Sequence, residues 1–387
     1  MRLKRHRGLM RQVLRHPDVG SSDRSRSIAA RDAREELCGE DVLSARRLTL
    51  GQGALVWSLC FAICLGLGYP TLNRYDPRRA GNLDANVYYE LVVGAPSEPT
   101  GHLRYRMLVP YLARPFYWLG KDRLGTWEPV FFGLLVANAM CSATAAALLV
   151  SVGSRFIGDH VVGLLGATLY LLSFAVPNFH LSGLVDSGEA ALMMAVAWAL
   201  SRGRWALLPV LGVVGALAKE TFVPLAVMFA TGWWVAERDH CDRLARALLV
   251  AAMGAAGSAA VVISLSIAYG RFVLPWEDAV GSHPPGMGYV AGLLRGVLSR
   301  NFWYVFAWLI PLGVWRLGRL PRAWVQASAF AVVAALAMGA YMDSQGNVSR
   351  AVFNVAGPVL SLSVAMLLTR GARASGESRG ERCSGGR

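Results

Sequence analysis

The chain has 387 residues, of which 54% are hydrophobic and 17% are charged, and its formal net charge is +14. Soluble domains carry about 25% charged residues, so this composition argues against a soluble domain and predicts a polytopic α-helical membrane protein. A β-barrel would instead show alternating segments of about ten residues. The basic residues, nearly all Arg, flank apolar runs as cytoplasmic loops do, so we expect no binding of nucleic acid.

Residues 1–47 precede the first apolar run and mix basic with acidic residues without a sustained apolar period. This composition predicts a disordered, basic cytoplasmic tail. The first apolar run begins near Leu50, which is too late for an ordinary signal peptide, and no small-residue cleavage site follows it. We therefore expect this run to remain in the protein as an uncleaved membrane anchor.

Ten apolar segments follow, and they define a transmembrane domain over residues 48–369. A membrane-spanning helix needs about 20 residues. The predicted spans are Leu50–Tyr69, Pro129–Val152, Val161–Val176, Val185–Ser201, Trp205–Ala218, Thr221–Ala236, Ala247–Tyr269, Phe302–Leu317, Val325–Met342 and Ala351–Thr369. Arg residues concentrate in alternate short loops, which predicts that both termini are cytoplasmic. Residues 70–128 then form a long first extracytoplasmic loop, and the Gly/Ser/Arg-rich residues 370–387 form a second disordered cytoplasmic tail.

The first outer loop contains two segments that suit short amphipathic helices, Asn82–Val93 and Arg106–Leu119. The second has apolar residues at helical spacing, but at about 1.5 Å per residue it is too short to cross a bilayer. We therefore expect it to lie in the plane of the membrane interface. A later outer loop contains a further apolar segment, Tyr289–Leu298, that also predicts a helix.

Ionisable residues interrupt the apolar pattern at two places. Asp186 and Glu189 are three residues apart on one helix face, at the outer end of the fourth predicted span. Lys219 and Glu220 separate two short apolar segments, the first of which reaches only about 21 Å at the rise of an α-helix. Because the hydrocarbon core is about 30 Å thick, this pair should lie below the outer surface and face the protein interior, where ionisable residues are functional-site candidates.

Three segments carry a resemblance to a known superfamily. The run DANVYYELVVG from Asp84, followed by RYRMLVP from Arg104, is similar to the first-loop signature of bacterial membrane proteins in the GT-C glycosyltransferase superfamily. That signature consists of an acidic residue, a nearby Tyr and an Arg-x-Leu-x-Pro stretch. The runs AKETFVPLA from Ala218 and SRAVFNVAGPVL from Ser349 resemble later elements of the same architecture, so the short motifs extend over most of the chain.

This resemblance implies a GT-C-like helical bundle in the plasma or inner membrane with an extracytoplasmic active site. It further implies a transferase that takes a sugar from a polyprenyl-phosphate-linked donor to an envelope glycan, lipid or protein. An Asp of the first outer loop is taken as the catalytic base in such enzymes. Asp84 fills that place, and Asp76 is the reserve; a divalent metal is left open as a cofactor.

The chemistry of glycosyl transfer independently requires a carboxylate that deprotonates the acceptor hydroxyl and cations that stabilise the leaving phosphate. Of the outer-side cations, we expect Arg106 and Lys219 to contact the donor phosphate, because Arg binds phosphate in a bidentate fork and Lys supplies a point charge. The candidate residues for binding substrate and phosphate are Arg104, Arg106, Lys219, Glu220, Arg350, Tyr88, Tyr89, Asp186 and Glu189.

Structural interpretations stand beside these roles. Asp84 could serve only as a helix N-cap, Lys219 and Glu220 could form a structural ion pair, and Arg104 and Arg106 could reach for lipid headgroups.

Two other functions also remain open. A transporter or flippase for a lipid-linked glycan would need polar residues through the membrane depth, often with inverted repeats. A non-catalytic membrane protein of the same fold would tolerate the change of Asp84 to Asn.

Overall fold

The computed structural model describes residues 48–74, 83–94, 105–237, 242–274, 288–342 and 347–384. Within these ranges every regular element is a helix, which confirms the all-α class. The α-helices are α1 (Leu50–Arg74), α2 (Leu83–Val93), α3 (Leu108–Gly120), α4 (Pro129–Ile157), α5 (His160–Leu171), α6 (Asp186–Ser201), α7 (Leu208–Ala218), α8 (Phe222–Ala236), α9 (Arg243–Tyr269), α10 (Tyr289–Leu298), α11 (Arg300–Phe306), α12 (Leu309–Val314), α13 (Arg322–Met342) and α14 (Asn347–Ser384). A π-helical turn covers Val176–His180, and 3-10 turns cover Trp205–Leu207 and Leu317–Arg319.

Five segments of the described residues are long and apolar enough to cross a membrane. They are Leu50–Pro70, Pro129–Ile157, Arg243–Ile267, Arg322–Ala340 and Val348–Thr369. Their lengths suit a hydrocarbon core of about 30 Å, and they indicate a lipid bilayer as the surroundings of the bundle. The remaining apolar helices are shorter, at 10–17 residues, so length and composition support five of the ten predicted spans.

Helices α4 and α14 form the centre of the bundle. Some 78% of the apolar segment of α4 and 89% of that of α14 are buried, against 11% for α1. Helix α4 packs against α1, α3, α5 and α6, and α14 packs against α5, α12 and α13. Helix α1 lies at the periphery, where it leaves Leu50, Leu55 and Leu59 exposed.

Two predicted spans, Val161–Val176 and Phe302–Leu317, are not continuous helices in the structure. The first ends as an α-helix at Leu171 and continues into the π-helical turn, while the second is divided into α11, α12 and a 3-10 turn. A proline lacks the N–H for the helical bond and clashes with the carbonyl four residues earlier. Pro177 therefore disrupts the helix near Ser173, and Pro311 disrupts it near Ala307.

The short helices outside the predicted spans agree with the sequence analysis. Helices α2 and α3 coincide within two residues with the segments predicted in the first loop, and α10 has the predicted bounds. Helix α14 continues to Ser384, beyond residue 369, where the sequence analysis places the start of a disordered tail. No proline follows Pro358 in this helix, so no residue of the polar segment forces the helix to end.

We predict that Gly232→Ala destabilises the bundle, because this glycine lets α8 approach the backbone of α13. A Cβ atom at Gly232 would lie 2.8 Å from Ala327 Cα and 2.9 Å from the Gln326 carbonyl oxygen. Overpacking of this kind typically costs about 1–3 kcal/mol. The free energy of unfolding in detergent, followed by tryptophan fluorescence, should fall by that amount.

Gly66→Ala in α1 is the matched control, because a Cβ atom there meets nothing within 4 Å. Replacing a helical glycine by alanine at an open position should leave the stability unchanged or raise it by up to about 1 kcal/mol. Equal stabilities of the Gly232 and Gly66 variants would contradict the close approach of α8 and α13.

Candidate functional site

Charged side chains from four distant parts of the chain meet in one buried cluster, which we call the polar network. Arg106 lies just before α3, and Asp186 and Glu189 lie in the first turn of α6. Lys219 and Glu220 connect α7 to α8, and Arg350 lies in the first turn of α14. The cluster therefore lies where α6, α8 and α14 begin and α7 ends. The break between α7 and α8 places adjacent residues of opposite charge within the bundle.

The first part of the polar network is a two-point contact between Arg106 and Glu220. Arg106 Nε donates to Glu220 Oε2 at 2.8 Å, and its Nη2 atom donates to Glu220 Oε1. The Arg106 Nη1 atom donates to the Tyr88 hydroxyl at 2.8 Å. Burial raises the pKa of Tyr88 to about 12, although the Arg106 charge lowers it in part. Tyr88 is therefore a neutral hydrogen-bond acceptor, and its buried ring is not open to a sugar.

The second part is centred on Lys219. Its ammonium donates to Asp186 Oδ1 at 2.7 Å and lies 3.6 Å from Glu189 Oε2. Arg350 Nη1 donates to the other oxygen of Asp186 at 3.2 Å, and the Arg350 guanidinium also lies 5.9 Å from the centre of the Phe179 ring. Asp186 thus bridges two cations from different elements, and its side chain is 2% exposed.

Glu189 follows Asp186 by three residues on α6 and is held mainly by neutral donors. Asn354 Nδ2 donates to Glu189 Oε2 at 2.7 Å, and the Thr221 hydroxyl donates to Oε1. The side-chain oxygen of Asn354 lies 3.0 Å from His180 Nε2. Glu189, Asn354 and His180 are all at most 1% exposed, so this layer has no direct path to solvent.

Among the described residues the polar network has no net formal charge, because three cations face three carboxylates. The cations are Arg106, Lys219 and Arg350, and the carboxylates are Asp186, Glu189 and Glu220. An unpaired charge in a low-dielectric interior costs several kcal/mol, and pairing with good hydrogen-bond geometry offsets this cost. The described contacts therefore account for how so many ionised groups can lie inside an apolar bundle.

Helix α2 is attached to the bundle by both of its tyrosines. Tyr88 accepts from Arg106, whereas the Tyr89 hydroxyl donates to Glu128 Oε1 at 2.9 Å. The second oxygen of Glu128 accepts from the backbone N–H groups at the start of α4, as an N-cap. Arg114 donates to the Leu91 carbonyl near the end of α2. These contacts fix the face of α2 that is turned toward the polar network.

Asp84 lies at the border of the polar network rather than inside it. It is four residues before Tyr88 on α2, so the two side chains share one helix face. Asp84 is half-buried, and within the described residues no hydrogen bond or ion pair engages its carboxylate. This distinguishes Asp84 from Asp186, Glu189 and Glu220, which are all held by donors.

The structure thus brings together most of the predicted site residues. Arg106 contacts Glu220 and Tyr88. Lys219 contacts Asp186 and Glu189, and Arg350 contacts Asp186. Asp84 lies one helical turn before Tyr88. Tyr89 instead binds Glu128, away from these ion pairs. Asp76 and Arg104 lie outside the described residues. Among the described residues no group of three His, Cys, Asp or Glu side chains could hold a metal ion.

Sequence reasoning assigned no site role to three residues that extend the polar network through hydrogen bonds, His180, Thr221 and Asn354. Asn354 follows Arg350 by one helical turn, a spacing that places both on one face of α14 and that could have identified it. Thr221 directly follows the Lys219–Glu220 pair. His180 has no such signal, because its partner Asn354 is 174 residues away in the sequence.

Comparison of the chain with known protein families, with curated proteins and with solved structures gives no match. The resemblance to the GT-C superfamily therefore rests on the short motifs around Asp84, Lys219 and Arg350. The polar network connects residues of these three motifs in space, since Lys219 and Arg350 share Asp186 and Asp84 lies beside Tyr88.

We predict that Arg106→Met destabilises the protein by about 3 kcal/mol, because it leaves the Glu220 carboxylate without its principal partner. The double variant Arg106→Met/Glu220→Leu should lose less, since no unpaired charge remains. Chemical unfolding of the single and double variants in detergent measures both effects.

Arg246→Met at the partly exposed Arg246–Glu237 pair is the control. The side chains of this pair are 19% and 27% exposed, so the loss should be up to about 1 kcal/mol. If the Arg106 single variant were as stable as the wild type, the Arg106–Glu220 contact would have no role in holding the polar network.

Proposed function

We propose that this chain is a membrane glycosyltransferase of the GT-C type, which transfers a sugar from a polyprenyl-phosphate-linked donor to an extracytoplasmic acceptor. The observation that carries the proposal is the position of Asp84 at the border of the polar network, where no hydrogen bond or ion pair within the described residues engages its carboxylate. In this proposal Asp84 is the general base, and Arg106 and Lys219 contact the donor phosphate.

The proposal includes about ten spans in the plasma or inner membrane, with both termini cytoplasmic. Helices α7 and α8 have 11 and 15 residues, which correspond to about 17 Å and 23 Å at the rise of an α-helix. Two such short helices, joined at Lys219 and Glu220, would place these residues below the membrane surface on the active-site side. The polar network would then open toward the extracytoplasmic face through α2 and α3.

Asp84 is the better candidate for the base than any carboxylate of the polar network. A general base must be able to accept a proton and must reach the acceptor hydroxyl. Asp186 is bound by two cations and Glu220 by an Arg fork, and both contacts favour the ionised carboxylate over the protonated one. Within the part of the chain that the structure describes, Asp84 has no such partner, and it is partly accessible, which suits proton transfer to and from a bound substrate.

The cations of the polar network suit a phosphate ligand, provided that the ligand replaces a carboxylate. Phosphate oxygens accept hydrogen bonds from Arg and Lys in the same geometry as carboxylate oxygens. A donor phosphate could therefore take the place of Glu220 at Arg106 or of Asp186 at Lys219. Such an exchange keeps each cation paired before and after the donor binds, while the displaced carboxylate must take up a proton or turn toward solvent, because an isolated buried charge is costly.

Complete pairing of the polar network also supports a second interpretation, a non-catalytic membrane protein stabilised by a buried ion cluster. In that case the charges serve only to hold α6, α8 and α14 together. A transporter or flippase is less well supported. Such a protein would need polar residues along the whole membrane depth, whereas the buried ion pairs of Asp186, Glu189 and Glu220 lie in one cluster. The test below separates catalysis from the structural role.

We predict that Asp84→Asn abolishes sugar transfer without affecting the abundance of the protein. Envelope glycans and lipids from a deletion strain, complemented with the wild type or the variant, are compared by mass spectrometry. The wild type should restore a sugar that the deletion strain lacks, and the variant should leave the acceptor unglycosylated, because an amide cannot accept the hydroxyl proton.

Asn86→Ala is the matched control, since Asn86 is exposed on the same helix two residues away and has no role in the proposal. It should restore the wild-type glycan profile. If Asp84→Asn restores the same profile, Asp84 is not the base. If neither deletion nor complementation changes any glycan or lipid, the transferase proposal is wrong.

A further inference from the structure

The π-helical turn at Val176–His180 directs two consecutive side chains toward α14. The turn ends with the Leu181 N–H donating to the Val176 carbonyl at 3.0 Å. Single π-helical turns are rare and occur frequently at functional sites. In this turn Phe179 lies beneath the Arg350 guanidinium, and His180 contacts Asn354. The unusual backbone therefore connects the segment between α5 and α6 to Arg350 and Asn354 of α14.

The direction of the His180–Asn354 hydrogen bond follows from Glu189. The Asn354 group that faces Glu189 is the NH2 group, which donates to Glu189 Oε2 at 2.7 Å. The Asn354 oxygen then faces His180 and can only accept, which requires a proton on His180 Nε2. His180 Nδ1 is buried without a hydrogen-bond partner within the described residues. The contacts thus select the neutral tautomer that carries its proton on Nε2.

Aromatic packing fixes the plane of the His180 ring. The ring lies 5.7 Å from Phe353 in an edge-on arrangement and 6.3 Å from Tyr170. Tyr170 and Phe353 are themselves stacked at 5.1 Å. His180 therefore holds one orientation in which its Nε2–H points at the Asn354 oxygen.

The two carboxylates that face Lys219 differ in how firmly they are held. Glu189 is held by Asn354 and Thr221 in addition to Lys219. For Asp186 the described side-chain contacts are with the cations Lys219 and Arg350. A phosphate could replace Asp186 because it would satisfy the same cations. To replace Glu189, a phosphate would have to enter a layer that is at most 1% exposed and satisfy Asn354 and Thr221 as well as Lys219.

We propose that His180 is a positioning residue of the site: its Nε2 proton orients Asn354, which holds Glu189 as the fixed partner of Lys219. This leaves Asp186 as the partner that an anionic phosphate exchanges with. The consequence for catalysis rests on the proposed function, whereas the hydrogen-bond direction does not. The inference therefore has one test that needs no activity and one that does.

The first test is the tautomer of His180, measured by NMR on the full-length protein with 15N-labelled histidine in detergent or nanodiscs. The spectrum of His180→Gln identifies the signals of His180 by their absence. We expect a protonated Nε2 and an unprotonated Nδ1. A proton on Nδ1, or protons on both nitrogens, would overturn the inference.

The second test compares two replacements of His180 in the glycan assay, at equal protein abundance. Gln places an amide N–H near the position of Nε2 and should retain transfer within a few-fold of wild type. Phe fills the space beside Tyr170 and Phe353 but has no donor, so Lys219 loses its fixed position. Because small misplacements of a binding group strongly slow a reaction, transfer should fall by about tenfold or more.

Tyr170→Phe is the matched control, since it removes a neighbouring buried hydroxyl without touching the hydrogen bonds to Asn354. It should behave as the wild type. If His180→Phe also transfers sugar as the wild type does, while Asp84→Asn does not, the positioning role is wrong and the transferase proposal stands. If neither deletion nor complementation with the wild type changes any glycan, the transferase proposal fails and the catalytic role of His180 fails with it.

Discussion

An ionised side chain inside an apolar bundle must be paired, and this constraint determines how the centre of the protein is built. Asp186 and Glu189 are almost fully buried, so each needs donors from other elements. Those donors come from the α7–α8 junction and from the first turns of α14. Removing one partner would leave a buried charge, which is far more costly than losing a surface ion pair. Four distant chain segments are therefore fixed relative to one another.

The same constraint shapes what the site can bind. Because each described cation of the polar network already faces a carboxylate, an anion that binds to one of them must take the place of that carboxylate, which must then take up a proton or reach solvent. Asp186, which is bound by cations, meets this requirement better than Glu189, which also satisfies neutral donors. Asp84 takes no part in this exchange, and no described residue forms a hydrogen bond or ion pair with its carboxylate. The transferase proposal rests on this arrangement, in which the proposed base is separate from cations whose carboxylate partner a phosphate can replace.

Much of the helical framework could be predicted from the sequence, because apolar length and periodicity report local structure. Helices α2, α3 and α10 lie where the pattern places them. The two interrupted spans could have been recognised from Pro177 and Pro311, whose effect is local. The buried position of Lys219 follows from the short apolar segments on either side of it. In contrast, the pairing of Arg106 with Glu220, 114 residues away, depends on tertiary packing, as does the contact of His180 with Asn354, and local patterns contain neither.

The central claim is that the cations of the polar network receive a donor phosphate beside Asp84. The most direct measurement is a cryo-electron microscopy structure of the protein in nanodiscs that contain a polyprenyl phosphate. The account predicts phosphate density within hydrogen-bond distance of Lys219 or Arg106, with Asp186 or Glu220 displaced from that cation and Glu189 still bound to Asn354. If the lipid is saturating but its phosphate is bound elsewhere, and every ion pair of the polar network is intact, the account is contradicted.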